Sequence, residues 1–289
     1  LRIQEWYEYW DGQVYVSYSG GKDSTVLLHI ARQLYPDIPV VFCNTGIEYP
    51  EVLACVRKQT NIIELRPIKP FHKIIKEHGY PVISKEVSEK VGIVQRNGWD
   101  CKVAQYFTED CKYVRFKCAK YAYLVDAPFK IDSKCCDYLK EKPVQNYEKQ
   151  TGNHPILATM ACESVRRTKA YLQNGGCNAF NNKRPVSTPM GFWTENDVFQ
   201  YIIENNLEIP SVYGDIIKDE FGNYTTTELS RTGCMYCPFG VTHEGYPNRY
   251  QRMQHTHPKH YKFMLEKLGF KQVFDYVGIE YEDKQRKLF

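Results

Sequence analysis

The chain has 289 residues, enough for one good core or for a large domain with a smaller one. Hydrophobic content of 43%, charged content of 25% and a net charge of +4 describe an ordinary globular protein that tolerates an anionic ligand without demanding nucleic acid. No apolar run is long enough to span a membrane and no signal-peptide pattern opens the chain, so a cytoplasmic protein is expected.

The opening Leu1–Trp10 segment reads as a helix, and its start without Met implies that its first residues are missing. Val14-Tyr15-Val16-Ser17-Tyr18 is an apolar run that reads as a buried strand. After it comes Ser19-Gly20-Gly21-Lys22-Asp23-Ser24, and then Val26, Leu27, Ile30, Ala31 and Leu34 at helical spacing. The order is strand, glycine turn, helix. Two adjacent glycines let backbone N–H groups approach a phosphate with no Cβ in the way. The new helix aims its unpaired N–H groups and positive dipole end at the same place. Ser19 and Ser24 add hydroxyls, and Lys22 adds a mobile positive charge. The Walker pattern, with four residues between Gly and Gly-Lys, is absent here.

This turn resembles the PP-loop of the ATP-pyrophosphatase and adenylyl-sulfate reductase superfamily, whose signature is SGGKDS. The resemblance implies a Rossmann-like sheet of the adenine nucleotide alpha-hydrolase type, flanked by helices. It makes Lys22 and Asp23 the catalytic candidates, with Ser17, Ser19, Gly20, Gly21 and Ser24 around the nucleotide.

Ile38–Cys43 reads as a second buried strand, 51–59 as a helix and 61–65 as a third strand. Strands alternating with helices at this spacing imply a parallel α/β sheet. Ligands of such sheets sit at the carboxyl ends of the strands. Asn44-Thr45-Gly46-Ile47-Glu48-Tyr49-Pro50-Glu51 falls there and resembles the turn after the second strand of sulfonucleotide reductases and of the small ATP-sulfurylase subunit. Thr45 and Gly46 thereby join the nucleotide candidates.

Residues 71–95 read as helical, broken at Gly79-Tyr80-Pro81. Lys85 could be a second phosphate lysine or a solvated helix lysine. In 96–130, basic residues (Arg96, Lys102, Lys112, Arg115, Lys117, Lys120, Lys130) interleave with aromatics (Trp99, Tyr106, Phe107, Tyr113, Phe116, Tyr121, Tyr123, Phe129). That mixture suits single-stranded nucleic acid, but Asp100, Glu109, Asp110 and Asp126 dilute it. A helical insertion packing its aromatic face on the sheet is the preferred reading.

Eleven cysteines, odd in number and unevenly spaced, argue for metal binding or thiol chemistry over a disulfide framework. Cys43 and Cys55 read as small core residues. Cys135-Cys136 and Cys234-Met235-Tyr236-Cys237 supply four thiolates in two pairs, which suit zinc or an iron-sulfur cluster. The resemblance to iron-sulfur adenylyl-sulfate reductases implies a four-iron four-sulfur (4Fe-4S) cluster, with Cys177 in reserve.

Pro155–Met160 reads as a further strand that feeds Ala161-Cys162-Glu163-Ser164-Val165-Arg166-Arg167 at a helix start. The family places a Ser-x-x-Arg here against the nucleotide, which implies roles for Glu163, Arg166 and Arg167. Thr194 and Asp197 cap the next helix, read as packing, and Phe221-Gly222-Asn223 marks a hairpin. The 247–289 tail reads as helical, with His255, His257 and His260 lacking a close carboxylate partner. Three regions are therefore expected: a nucleotide-binding domain of 1–95 with 131–215, an insertion at 96–130, and a knuckle with a helical region at 216–289.

The resemblance covers roughly 14–240 and is closest to phosphoadenosine phosphosulfate (PAPS) reductase-family proteins of bacterial mobile elements. True reductases end in a Glu-Cys-Gly segment whose cysteine attacks sulfur, and no cysteine follows Cys237 here. The expectation is therefore an enzyme that binds ATP with magnesium (Mg2+), adenylates an acceptor and releases pyrophosphate, in the service of sulfur transfer to a nucleic acid or nucleotide. The alternatives are a sulfonucleotide reductase using another thiol, with Cys162 the foremost candidate, and a non-catalytic nucleotide- or nucleic-acid-binding subunit. The implied partners are an adenine nucleotide and a nucleic acid or protein supplying sulfur or electrons; a homo-oligomer stays open.

Overall fold

A computed structural model of the chain describes residues 1–112 and 118–284. In chain order, helix α1 (Arg2–Tyr9) buries Ile3 and Trp6. Strands β1 (Val14–Tyr18), β2 (Val40–Cys43) and β3 (Ile62–Leu65) then alternate with helices α2 (Lys22–Leu34) and α3 (Pro50–Arg57). Helices α4 (Phe71–His78) and α5 (Lys85–Asn97) flank the predicted break. Helix α6 (Lys134–Cys136) passes through a π turn into α7 (Lys142–Thr151) and on to β4 (His154–Ile156). Helix α8 (Val165–Gln173), strands β5 (Asn178–Ala179) and β6 (Val186–Ser187), and helix α9 (Glu195–Glu204) follow. The hairpin of β7 (Ile216–Lys218) and β8 (Tyr224–Thr226) turns at Gly222, as the sequence predicts. Helices α10 (Arg249–Thr256), α11 (Pro258–Lys262) and α12 (Phe270–Val277) form the tail.

Six strands form one sheet in the order β3-β2-β1-β4-β6-β5. Pairing is parallel from β3 through to β6, and only β5 runs antiparallel, against β6. This is the expected α/β architecture. β1 is central, and four of its five residues are buried, which explains why it reads as a continuous apolar run. Its Tyr15 hydroxyl donates to Glu148 of α7 at 2.7 Å, and Arg184 grips the same carboxylate through two nitrogens. Each fully buried valine of β1 and β2 contributes about 1.5–3 kcal/mol of apolar burial.

The chain divides into two compact units, Leu1–Pro67 with Lys140–Met235, and Ile68–Leu139 with Tyr236–Phe289. The sheet lies in the first. Residues 68–95, expected with the nucleotide-binding domain, and the 96–130 segment fall in the second. Within 96–130, Ala104–Phe107 and Ala119–Asp126 are 3-10 turns, not long helices. Phe107 and Leu124 are buried, and Trp99 meets the edge of Phe107. Tyr113, Arg115, Phe116 and Lys117 lie outside the described residues.

The tail histidines differ from expectation. His255 Nε2 lies 2.9 Å from Asp283, so it does have a carboxylate partner; the 28-residue separation hid it. His260 pairs with the Tyr236 hydroxyl at 2.9 Å. Among the described residues, no helix is long and apolar enough to cross a membrane.

Candidate nucleotide-binding site

The glycine turn joins the carboxyl end of β1 to α2. Gly20 sits at φ +75°, and a Cβ there would lie 2.7 Å from Val52 and 2.8 Å from Val56. Only glycine meets both demands, so the turn can press against α3. A Cβ on Gly21 would lie 2.8 Å from the Thr232 hydroxyl. Gly21 is the N-cap of α2 and offers no capping side chain, so the helix start is left to other donors and acceptors. The serines lock the turn instead. The Ser19 and Ser24 hydroxyls are 3.0 Å apart, the Ser24 hydroxyl accepts from Ser19 N–H at 3.2 Å, and it donates to the Gly21 carbonyl at 2.9 Å.

Lys22 corrects the sequence reading. Its side chain is only 4% exposed and is no mobile surface cation. Its Nζ lies 3.2 Å from Asp23 and 3.0 Å from Glu195 of α9, with Phe199 and Tyr213 rings about it. Burial opposes the ammonium charge, but Asp23 and Glu195 outweigh it and the pKa is raised. Asp23 moves the other way from a paired carboxylate: burial raises its pKa in spite of Lys22. The periodic apolar face of α2 did not reveal where a residue at its first position would turn.

Beside the turn lies a cavity of about 150 Å³. Ser17, Tyr18 and Ser19 from β1 and its turn, Phe42 and Cys43 from β2, and Glu48 from the following turn line it. Lys140, Val144, Thr232 and Gly233 contribute from later in the chain. Its place at the strand carboxyl ends is where open α/β sheets bind ligands. Thr45 is buried and donates to Glu48 at 2.5 Å, while Gly46 is exposed. The sequence reading named Ser17 and Ser19 but missed Glu48, Lys140, Thr232 and Gly233. A charged residue inside the otherwise apolar Ile47–Tyr49 stretch was the available signal for Glu48.

The remaining candidates are placed as follows. Glu163 accepts from Met160 N–H at 3.0 Å and forms an ion pair with Arg167, so Arg167 already has an anionic partner. Ser164 caps α8, and Arg166 and Arg167 are exposed on that helix. Lys85 begins α5 in the second unit, 3.9 Å from Asp137. Cys162 is exposed, and its thiol pKa is raised, by burial first and Glu163 second. Arg166 and Arg167 lie nearby, but burial, and then Glu163, which pairs with Arg167, hold the thiol in its protonated form. Cys43 does not read as plain core: it is half-buried at the cavity wall, and burial pushes its thiol up to about 11.

Cys234 belongs to the first unit, with its sulfur 4.0 Å from the Thr45 hydroxyl. Cys135, Cys136 and Cys237 belong to the second. Cys177 is buried, with its thiol 3.7 Å from the Tyr171 hydroxyl. Among the described residues, no group of three or more His, Cys, Asp or Glu side chains is arranged to hold a metal ion. The expected four-cysteine set is divided between the two units.

Residues 13–83 match the phosphoadenosine phosphosulfate reductase domain model. This segment is similar to that family's domain. It takes in β1, the glycine turn, β2 and the Asn44–Glu51 turn. The chain is also similar to an adenosine 5'-phosphosulfate reductase of Bacillus cereus, 30% identical over 27% of this chain and 37% of the relative. Sulfate adenylyltransferase subunit 2 of Shewanella frigidimarina is 27% identical over 70% of this chain and 60% of its own length. An uncharacterized protein of Methanocaldococcus jannaschii is 23% identical over 84% of this chain and 46% of its own length. In each case the match takes in less than two thirds of the relative. Among solved structures, PAPS reductase from Candida auris in a phosphate complex aligns over 76% of this chain and 88% of its own, at 15% identity and a TM-score of 0.43.

Proposed function

We propose that the chain binds an adenine nucleotide across the glycine turn and its cavity, and that it cleaves ATP between the α- and β-phosphates. The observation that carries this reading is the adjacency of the two parts: Ser19 belongs both to the turn and to the cavity wall. A triphosphate on the helix start would meet backbone N–H groups, the Ser19 and Ser24 hydroxyls and the helix dipole. A base would enter the cavity between apolar walls.

In the step proposed, an acceptor oxygen bonds to the α-phosphorus as the bond to the bridging oxygen breaks. Pyrophosphate leaves with the electron pair, and the acceptor proton passes to solvent. The fixed N–H and hydroxyl donors stabilise the charge that develops. Lys22, held between Asp23 and Glu195, fixes the turn that carries those donors. Magnesium would come with the triphosphate and neutralise charge on the leaving group, since phosphates supply much of its coordination. The acceptor class we favour is a nucleic acid or nucleotide, activated for sulfur transfer. The cluster expectation rests on the thiol pattern of Cys135, Cys136, Cys234 and Cys237 and on its resemblance to that of iron-sulfur adenylyl-sulfate reductases.

A second reading, a sulfonucleotide reductase, is favoured by the Bacillus cereus relative. The raised pKa of Cys162 argues against that thiol as its nucleophile, because the thiolate is the attacking form. Product analysis separates the readings. AMP or an adenylated acceptor with pyrophosphate supports adenylation, and sulfite from adenylyl sulfate supports the reductase. Binding without either product identifies a non-catalytic subunit and overturns both.

A further inference from the structure

Glu48 is an unusual residue to find in the cavity wall. It is 91% buried, being only 9% exposed. Its Oε1 accepts from the Thr45 hydroxyl at 2.5 Å. Its Oε2 is buried with no hydrogen-bond partner. An unsatisfied carboxylate oxygen in a buried position costs stability, so such a group points to a donor that arrives with a ligand. The walls around it supply Tyr18, Val41, Phe42, Val52 and Val144, surfaces that suit a flat heterocycle better than a sugar. The hydroxyls of Ser17, Ser19 and Thr232, on the residues that join or approach the phosphate turn, and Lys140 are the wall's polar complement.

We propose that Glu48 reads the amino edge of the bound base: Oε2 accepts a hydrogen bond from an exocyclic amine and rejects a carbonyl in its place. The inference rests on the nucleotide reading above. A carboxylate has only acceptors to offer, so O6 of a 6-keto purine, seated where the amine would be, sets oxygen against oxygen in a site sheltered from water, and the base must shift to bring N1–H there instead. A 6-amino purine would satisfy the one oxygen that Thr45 leaves over. Thr45 fixes the carboxylate through the other oxygen, so it cannot swing away to relieve the clash.

The test is calorimetric titration of the full chain with ATP, 2'-deoxy-ATP and inosine triphosphate, in the wild type and in Glu48→Gln. Inosine triphosphate keeps the ribose and phosphates of ATP, exchanges the 6-amine for a carbonyl and turns N1 from an acceptor into an N–H donor. The wild type is expected to bind ATP at least about tenfold more tightly than inosine triphosphate, because the wrong base leaves a buried polar group unpaired. Glu48→Gln can present an N–H and is expected to narrow that ratio to within about threefold. If deoxy-ATP is discriminated and inosine triphosphate is not, Glu48 reads the ribose and the proposal fails. An unchanged ATP preference in Glu48→Gln also overturns it. If no triphosphate binds the wild type, it is the nucleotide reading that has failed. Thermal unfolding of the ligand-free proteins guards against a folding artefact: Glu48→Gln should melt no lower than the wild type.

Discussion

The hydroxyl of Tyr213 accepts the backbone N–H of Lys22 at 3.1 Å, and it lies 3.0 Å from the hydroxyl of Thr232. Tyr213, 191 residues along the chain from Lys22 and 1% exposed, thereby ties the start of α2 to the segment just before Cys234. Removing this hydroxyl in Tyr213→Phe leaves the Lys22 N–H and the Thr232 hydroxyl short of a partner. The expected cost is about 1–3 kcal/mol, read as a melting point lower by several degrees. Unchanged melting would mean that water replaces the hydroxyl without loss.

Lys22 behaves as part of the interior, and its substitutions should show that. Lys22→Ala removes the stem from Phe199 and Tyr213 and leaves Asp23 and Glu195 facing each other. Both carboxylates reach solvent, so the cost is on the order of 2 kcal/mol and not the full value of a buried pair. Lys22→Met keeps the stem and should recover part of the stability but not the ion pairs. Urea unfolding of the two variants checks this; equal stability of Lys22→Ala and wild type would return Lys22 to the surface.

Stability should fall in alkali. A native Cys43 thiol with a pKa of about 11 holds its proton where an unfolded thiol near 9 has lost it. Unfolding then releases a proton, so stability declines as pH rises from 9 through 11. The raised Lys22 pKa acts in the same direction at still higher pH, as its proton is lost. Cys43→Ala should flatten the decline between pH 9 and 11. Iodoacetamide should label Cys43 slowly at pH 8; fast labelling there would contradict the raised pKa.

The thiol pattern, with its resemblance to iron-sulfur reductases, leads us to propose a bound metal. Protein purified without oxygen is expected to carry iron and acid-labile sulfide, most of both lost in Cys234→Ser. Colourless protein with stoichiometric zinc would replace the cluster with a structural knuckle.

Sequence legibility followed the range of the interactions. The β1–turn–α2 unit was readable because it is local: a buried strand, two glycines and an amphipathic helix adjoin in the chain. The capping box of Thr194 and Asp197 was readable for the same reason and is present in α9. What escaped was decided by residues far apart. Nothing near Lys22 announces that Glu195 and Tyr213 will enclose it. The wall at Lys140, Val144 and Thr232 is assembled from segments about a hundred residues or more from the turn. The reading of Glu163 and Arg167 as separate nucleotide contacts did not foresee that the two pair with each other. The short strands β5 and β6, two residues each, carried too little pattern to be seen.

The central claim is that the glycine turn binds ATP. It is tested most directly by titrating ATP, adenylyl sulfate and its 3'-phosphate against the wild type and Gly20→Ala. The account predicts that ATP binds most tightly. It also predicts that Gly20→Ala, which forces a Cβ onto Val52 and Val56 at positive φ, loses most of that affinity. Much tighter binding of either sulfonucleotide than of ATP, or ATP binding untouched by Gly20→Ala, would contradict it.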